Sequence, residues 1–152
     1  MFERFTDAAR IAMVRAREEA RALNHPTVRV EHILFGIVED PGGIGAQALA
    51  SQELDIDAIR SSVHEAIGER IELPPEAIYN SEGVKEAIEM TLREALSLQH
   101  DHIGIEHLLL GLMGERDGAA AQVLARHGAD LDATREMVRE LAKTSRPRPT
   151  AS

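Results

Sequence analysis

Two Glu-His pairs, Glu31-His32 and Glu106-His107, are the polar residues whose type and spacing best suit chemistry. The simplest use for them is at a helix start. A carboxylate in a first turn gains from the helix dipole, and an imidazole there can bond a nearby backbone group. Metal binding is a second use, because His25, His32, His100, His102 and His107 supply ligand types beside the two glutamates. The spacing opposes it. No His-Glu-x-x-His is present, and adjacent Glu and His on a regular helix cannot both point at one ion. No metal site is therefore expected. With no cysteine, disulfides, thiolate ligands and thiol nucleophiles are excluded. There is no Gly-x-x-x-x-Gly-Lys-Ser/Thr phosphate loop, which excludes ATP hydrolysis by that route. No catalytic residue and no cofactor is expected.

The two pairs are placed by a duplication. Sliding the sequence by 75 residues aligns 6–67 on 81–142 without a gap. Identities include Glu19/Glu94, Leu23/Leu98, His25/His100, Glu31/Glu106, His32/His107, Gly36/Gly111, Gln47/Gln122, Asp55/Asp130 and Arg60/Arg135. Duplication also explains why there are two glutamates, which removes the case for an acid–base pair. Each copy predicts four helices. Ala9, Met13, Ala16, Ala20 and Leu23, matched by Val84, Ile88, Thr91, Ala95 and Leu98, step by three and four along one face. Thr6-Asp7 and Ser81-Glu82 are N-cap segments before them. A second helix begins near Glu31 or Glu106. A third holds Ala46 and Leu49, or Ala121 and Leu124. The fourth runs from about Asp55 to Ile67, or from Asp130 to Ala142. Gly36 and Gly111 fall inside the second helices, where glycine costs stability unless it permits close packing. Pro74-Pro75 breaks the chain between the copies.

The expected architecture is all-α: two tandem four-helix repeats, 6–67 and 81–142, joined by a linker at 68–80. They share one core with pseudo-twofold symmetry as one globular domain, followed by a flexible tail or linker stub at 143–152. Composition agrees. Apolar residues make up 43% of 152, enough for a sizeable core, and only Phe2, Phe5, Phe35 and Tyr79 are aromatic. Such a core suits helices better than a β-sandwich. Seventeen Lys and Arg against 26 Asp and Glu give a net charge of −9. That argues against nucleic acid, which needs a positive field, and against anionic lipid. The acidic set Glu18, Glu19, Glu89 and Glu94 is expected to be a solvated face. No targeting or spanning segment is evident, so a cytoplasmic location is expected.

The segments Met1 to Asp7, Glu18 to His25 and Glu31-His32-Ile33-Leu34-Phe35-Gly36-Ile37 resemble the first repeat of a Clp N-terminal domain. Arg93 to His100, Ile105-Glu106-His107-Leu108-Leu109-Leu110-Gly111-Leu112 and Ala121-Gln122-Val123-Leu124 resemble the second. The resemblance covers roughly residues 1–142 and is strongest to the ClpC type. It implies a non-catalytic domain that docks adaptors and substrates ahead of the ATPase rings of an unfoldase. It further implies recognition of phosphoarginine, with Glu31 and Glu106 holding the guanidinium and Thr6 and Ser81 adding hydroxyl donors at helix starts. A carboxylate binds a guanidinium bidentately, and helix N-terminal amides hold phosphate. Where the family has Gly-Thr before Glu-His, this chain has Arg29-Val30 and Gly104-Ile105. Arg29 either adds phosphate affinity or occupies Glu31 itself.

Phe2, Phe5 and Tyr79 lie just ahead of the first helix of a copy. They are either hydrophobic staples or a ring-lined contact for a peptide, an adaptor or a hydrophobic cyclic-peptide antibiotic of the kind the resemblance implies. The expected partners are a Clp unfoldase, adaptors or protein substrates. The chain is expected to be a monomer, serving as a stand-alone accessory, as a decoy, or as the reception domain of a longer unfoldase. The alternative is a self-association domain that promotes assembly of an unfoldase ring.

Overall fold

Apolar residues at helical spacing become eight helices in the computed structural model, which describes residues 2–40 and 42–144, without the side chains of Phe2 and Thr144. Among the described residues these are α1 (Asp7–Ala22), α2 (Val30–Val38), α3 (Ile44–Ala50), α4 (Ile56–Ile67), α5 (Glu82–Ser97), α6 (Ile105–Gly114), α7 (Ala119–Arg126) and α8 (Leu131–Thr144). A 3-10 turn, Phe2–Arg4, precedes α1. The helix starts are set by local chemistry. Thr6 and Ser81 accept hydrogen bonds from the Ala9 and Val84 amides at 3.2 Å each. Asp55 accepts from the Asp57 and Ala58 amides at 3.0 and 3.2 Å, capping α4. Asp55→Ala should therefore lower stability by about 1 kcal/mol, read as a shift in the urea midpoint.

The expected pseudo-twofold is visible in which helix packs on which. α1 lies on α2 as α5 lies on α6, and α1 touches α6 as α2 touches α5. The last pairs of helices are exchanged: α3 packs on α8 and α4 on α7. Each relation has its mate across the twofold, so the repeats interlock. Gln52 Nε2 donates to Thr134 Oγ1 at 2.7 Å, and the Asp130 amide donates to Gln52 Oε1 at 3.1 Å, across that seam. One apolar cluster runs through both repeats, including Phe5, Leu34 and Ile59 with Val84, Leu109 and Leu124.

Two short parallel pairings clamp the repeats together. β1 (Thr27–Val28) pairs with β2 (Tyr79–Asn80), with Thr27 opposite Tyr79 and Val28 opposite Asn80. Its counterpart is the bridge between Phe5 and Ile103. The segment read as a linker is fastened to the first repeat. The Ile71 amide donates to Leu23 O at 2.9 Å, and Asn24 Nδ2 donates to Ile71 O at 2.8 Å. α8 continues to Thr144, two residues into the segment expected as tail. The remainder of that expectation, 145–152, lies outside the described residues.

The glycines inside the second helices sit at close helix crossings. A Cβ on Gly36 would lie 2.2 Å from Ala12 O, and one on Gly111 would lie 2.6 Å from Ala87 O. The acidic face is not uniformly solvated. Glu94 forms a forked pair with Arg135, Nε to Oε2 at 3.0 Å and Nη2 to Oε1 at 2.7 Å, tying α5 to α8.

Candidate functional site

The starts of α2 and α6 are each organised by an imidazole. His32 occupies the third position of α2, and its Nδ1 accepts the N-cap amide of Arg29 at 2.9 Å. His107 does the same for Gly104 at 2.9 Å. The imidazole thus fills the role that Glu or Gln has in a capping box. Because Nδ1 accepts, the ring proton sits on Nε2. In the first repeat that N–H donates to His25 Nδ1 at 3.1 Å, and His25 Nε2–H donates to Glu69 O at 2.8 Å. In the second repeat His107 Nε2–H donates to His100 Nδ1 at 2.8 Å. Burial drives the pKa of both His32 and His107 down to about 4, so both rings are neutral at pH 7.

The second repeat adds His102, whose ring stacks on His100 at 5.2 Å. Ring nitrogens of His100, His102 and His107 lie within 4.8 Å of one another, a grouping that suggests a metal. The proton positions assign it otherwise. A metal on His107 Nε2 needs the lone pair that the N–H replaces, and Nδ1 is already committed to the Gly104 amide. Freeing Nε2 would set two N–H groups against each other at the cap. His102 instead turns Nε2 to Glu106 Oε2 at 3.3 Å, with Nδ1 3.6 Å from Asp101 Oδ1. The hydrogen bond to Glu106 raises the His102 pKa above its ordinary value, against the effect of burial. Burial alone would raise the Glu106 pKa. The His102 hydrogen bond and neighbouring charge outweigh it and hold that carboxyl below its usual range.

The sequence offset pairs Thr6 with Glu31 and Ser81 with Glu106. The structure pairs them the other way. The Thr6 amide donates to Ile103 O at 3.0 Å, so the start of α1 lies beside the start of α6 and Glu106. The Ser81 amide donates to Val28 O at 2.9 Å, so the start of α5 lies beside the start of α2 and Glu31. Each candidate site is therefore composite, with its hydroxyl from one repeat and its carboxylate from the other. Both carboxylates are buried: Glu31 is 5% exposed and Glu106 1%. Arg29 Nη1 meets Glu31 Oε2 at 2.9 Å, which answers the question left by the sequence. The exchange of partners could not be found from spacing, because the twofold swaps elements 75 residues apart. The role of His102 also went unread, since its first-repeat counterpart is Thr27.

The aromatic expectation needs correction at Phe5. It is 0% exposed and part of the core, so it is unavailable to a partner in the folded domain. Tyr79 is 68% exposed. The twofold equivalent of Phe5 is Asn80, so the ring in the second repeat falls one residue early, outside the core. Phe2 lies in the 3-10 turn, and its side chain is outside the described set. No helix among the described residues is long and apolar enough to cross a membrane.

The sequence matches the profile of the Clp repeat (R) N-terminal domain twice, at residues 4–77 and 78–150. It is 39% identical over 141 residues to the Bacillus subtilis negative regulator of genetic competence ClpC/MecB, covering 93% of this chain and 17% of that protein. It is 41% identical over 138 residues to the chloroplastic chaperone protein ClpC1 of Oryza sativa subsp. japonica, covering 91% of this chain and 15% of that protein. The chain thus spans about a sixth of the length of these relatives. Among solved structures, the N-terminal domain of ClpD from Arabidopsis thaliana aligns with a TM-score of 0.68 at 26% identity, over 94% of this chain and 97% of that one. The ClpV N-domain in complex with a VipB peptide aligns with a TM-score of 0.74 at 14% identity, over 93% and 86%, and so shares the fold. With both repeats matched and eight helices interlocked about one twofold, the chain belongs to the Clp N-terminal domain family.

Proposed function

We propose that this domain is a non-catalytic, cytoplasmic protein-binding module of the Clp protease system, receiving adaptors, degrons or phosphoarginine-marked substrates. The peptide-bound ClpV N-domain supports the general role, since the two share a fold. The observation that carries the finer reading is the placement of the sixteen-residue helix α1 with its N-cap Thr6 against the start of α6, where Glu106 is buried. A guanidinium takes the buried carboxylate by displacing the His102 ring bonded to it, and its phosphate takes the amide end of α1. The Thr6 oxygen caps the helix, which leaves the hydroxyl hydrogen to donate.

The test is calorimetric titration with a phosphoarginine peptide. Glu106→Gln should weaken binding by about 10- to 100-fold, because a charged, buried hydrogen-bond acceptor is lost. The unphosphorylated peptide should bind less tightly. Unchanged affinity in a folded Glu106→Gln protein would refute the site. The runner-up, a self-association domain that promotes ring assembly, draws on Ile11 and Val14. They lie three apart on α1, 48% and 59% exposed. Light scattering over a concentration series tests it.

A further inference from the structure

We infer that the domain offers one competent guanidinium site, at Glu106, and that its twofold mate at Glu31 is occupied by the chain's own Arg29. The inference rests on the phosphoarginine reading above and adds its valency. Twofold symmetry supplies two equivalent buried carboxylates, but the residue two places earlier differs, Arg29 in one repeat and Gly104 in the other. The Arg29 guanidinium is held at both ends of its fork. Nη1 meets Glu31 Oε2 at 2.9 Å and Nη2 donates to Ile67 O at 2.7 Å. A guanidinium fixed by two such anchors and tethered to the same chain competes at high effective concentration with any incoming one.

At Glu106 no tethered cation stands at the equivalent position, which is Gly104. The carboxylate folds over residue 104, where an added Cβ would lie 2.0 Å from Glu106 Oε1. The occupant there is His102, with a single contact at 3.3 Å. An imidazole offers one donor to the carboxylate, whereas the phosphorylated guanidinium keeps four N–H donors and can meet both carboxylate oxygens. The guest therefore displaces His102 but not Arg29.

A second feature weakens the Glu31 side for phosphate without blocking it. A Cβ added to Gly83, in the first turn of α5, would lie 3.3 Å from Glu115 Oε1, so that carboxylate flanks the amides that would receive an anion. Glu115 Oε2 is buried without a hydrogen-bond partner among the described residues. Burial, then Glu86, Asp117 and Glu31, raise the Glu115 pKa, which marks this corner as electronegative.

The experiment is titration calorimetry with a phosphoarginine peptide at mildly alkaline pH, read for stoichiometry. One peptide per chain is expected for the native protein. Arg29→Gly, which copies the residue at 104, should raise the count to two. Arg29→Gln is the fallback should the glycine variant not fold, and should reveal a second, weaker event. Amide NMR of the native protein gives an independent reading, with shifts expected at 104–107 on addition of peptide and none at 29–32. Two peptides on the native chain, or shifts at 29–32, would overturn the inference and leave the phosphoarginine reading standing. No binding in native protein and variants alike would overturn that reading, and the inference with it.

Discussion

Gly36→Ala is expected to lower the unfolding free energy by roughly 2–4 kcal/mol, the range of overpacking at its severe end. The added Cβ would lie 2.2 Å from Ala12 O, 3.0 Å from Ala12 C and 3.2 Å from Ala12 Cα. These are backbone atoms of α1, so no rotamer change relieves the clash. α1 and α2 would have to separate. That opens the seam lined by Ala9, Ala12, Ala16 and Ala20, all of them 0% exposed. Alanine's better helix propensity returns only about 1 kcal/mol. Gly111→Ala meets Thr91 Oγ1 at 2.1 Å and Ala87 O at 2.6 Å and should behave alike. Gly42, with nothing within 4 Å of its Cβ position, is the control and should change stability by less than about 0.5 kcal/mol. Urea melts of the three variants decide the matter. A Gly36→Ala midpoint equal to the control would show that the crossing is not as tight as described.

The second large effect is acid sensitivity. His32 and His107 have folded pKa values near 4 against an ordinary 6.5, with burial as the main cause. Between those values the unfolded chain binds more protons than the folded one, so stability rises with pH. The contribution is complete above about pH 6.5 and is lost as pH falls toward 4. For His107 it amounts to roughly 3 kcal/mol, a sizeable share of a typical domain's stability. His32 acts in the same direction. Glu106, held below its usual pKa, adds a loss at lower pH still, as its carboxylate takes up a proton. His102 runs the other way. Its raised pKa stabilises the fold below about 6.5 and the gain fades as pH rises through the folded value, which offsets part of the slope. The urea midpoint should fall steadily from pH 7 to pH 4.5. His107→Gln, which keeps an acceptor for the Gly104 amide, should flatten that fall by about half. A midpoint independent of pH over this range would mean that the two rings are not buried as neutral relays.

The repeat, the helix positions and both hydroxyl caps could be read in the sequence because each rests on local chemistry. Thr6 and Ser81 cap the helices predicted after them, and Asp55 caps the fourth. Gly36 and Gly111 sit inside apolar helices, where a backbone crossing is the ordinary reason for a glycine. The candidate site was legible in part. Glu31 and Glu106 stood out, and their histidines proved to have the helix-start role given them first. The pairing of Thr6 with Glu106 was not legible, because it depends on which repeat's loop each helix start meets. Nor was Phe5 distinguishable from a surface ring. Its burial shows only once both repeats pack, where it is 0% exposed within the shared core.

The exchange of α3 and α4 between repeats has a consequence for synthesis. When the first 67 residues have left the ribosome, α4 still lacks α7 and α3 still lacks α8. A nascent first repeat thus carries Ala48, which packs with Leu110 and Val138, and the sides of α3 and α4 that meet α8 and α7 uncovered until the chain reaches residues 119–144. Late closure of this kind exposes a chain to aggregation while it is being made. An isolated repeat would keep that surface, and the partner best shaped to cover it is another repeat.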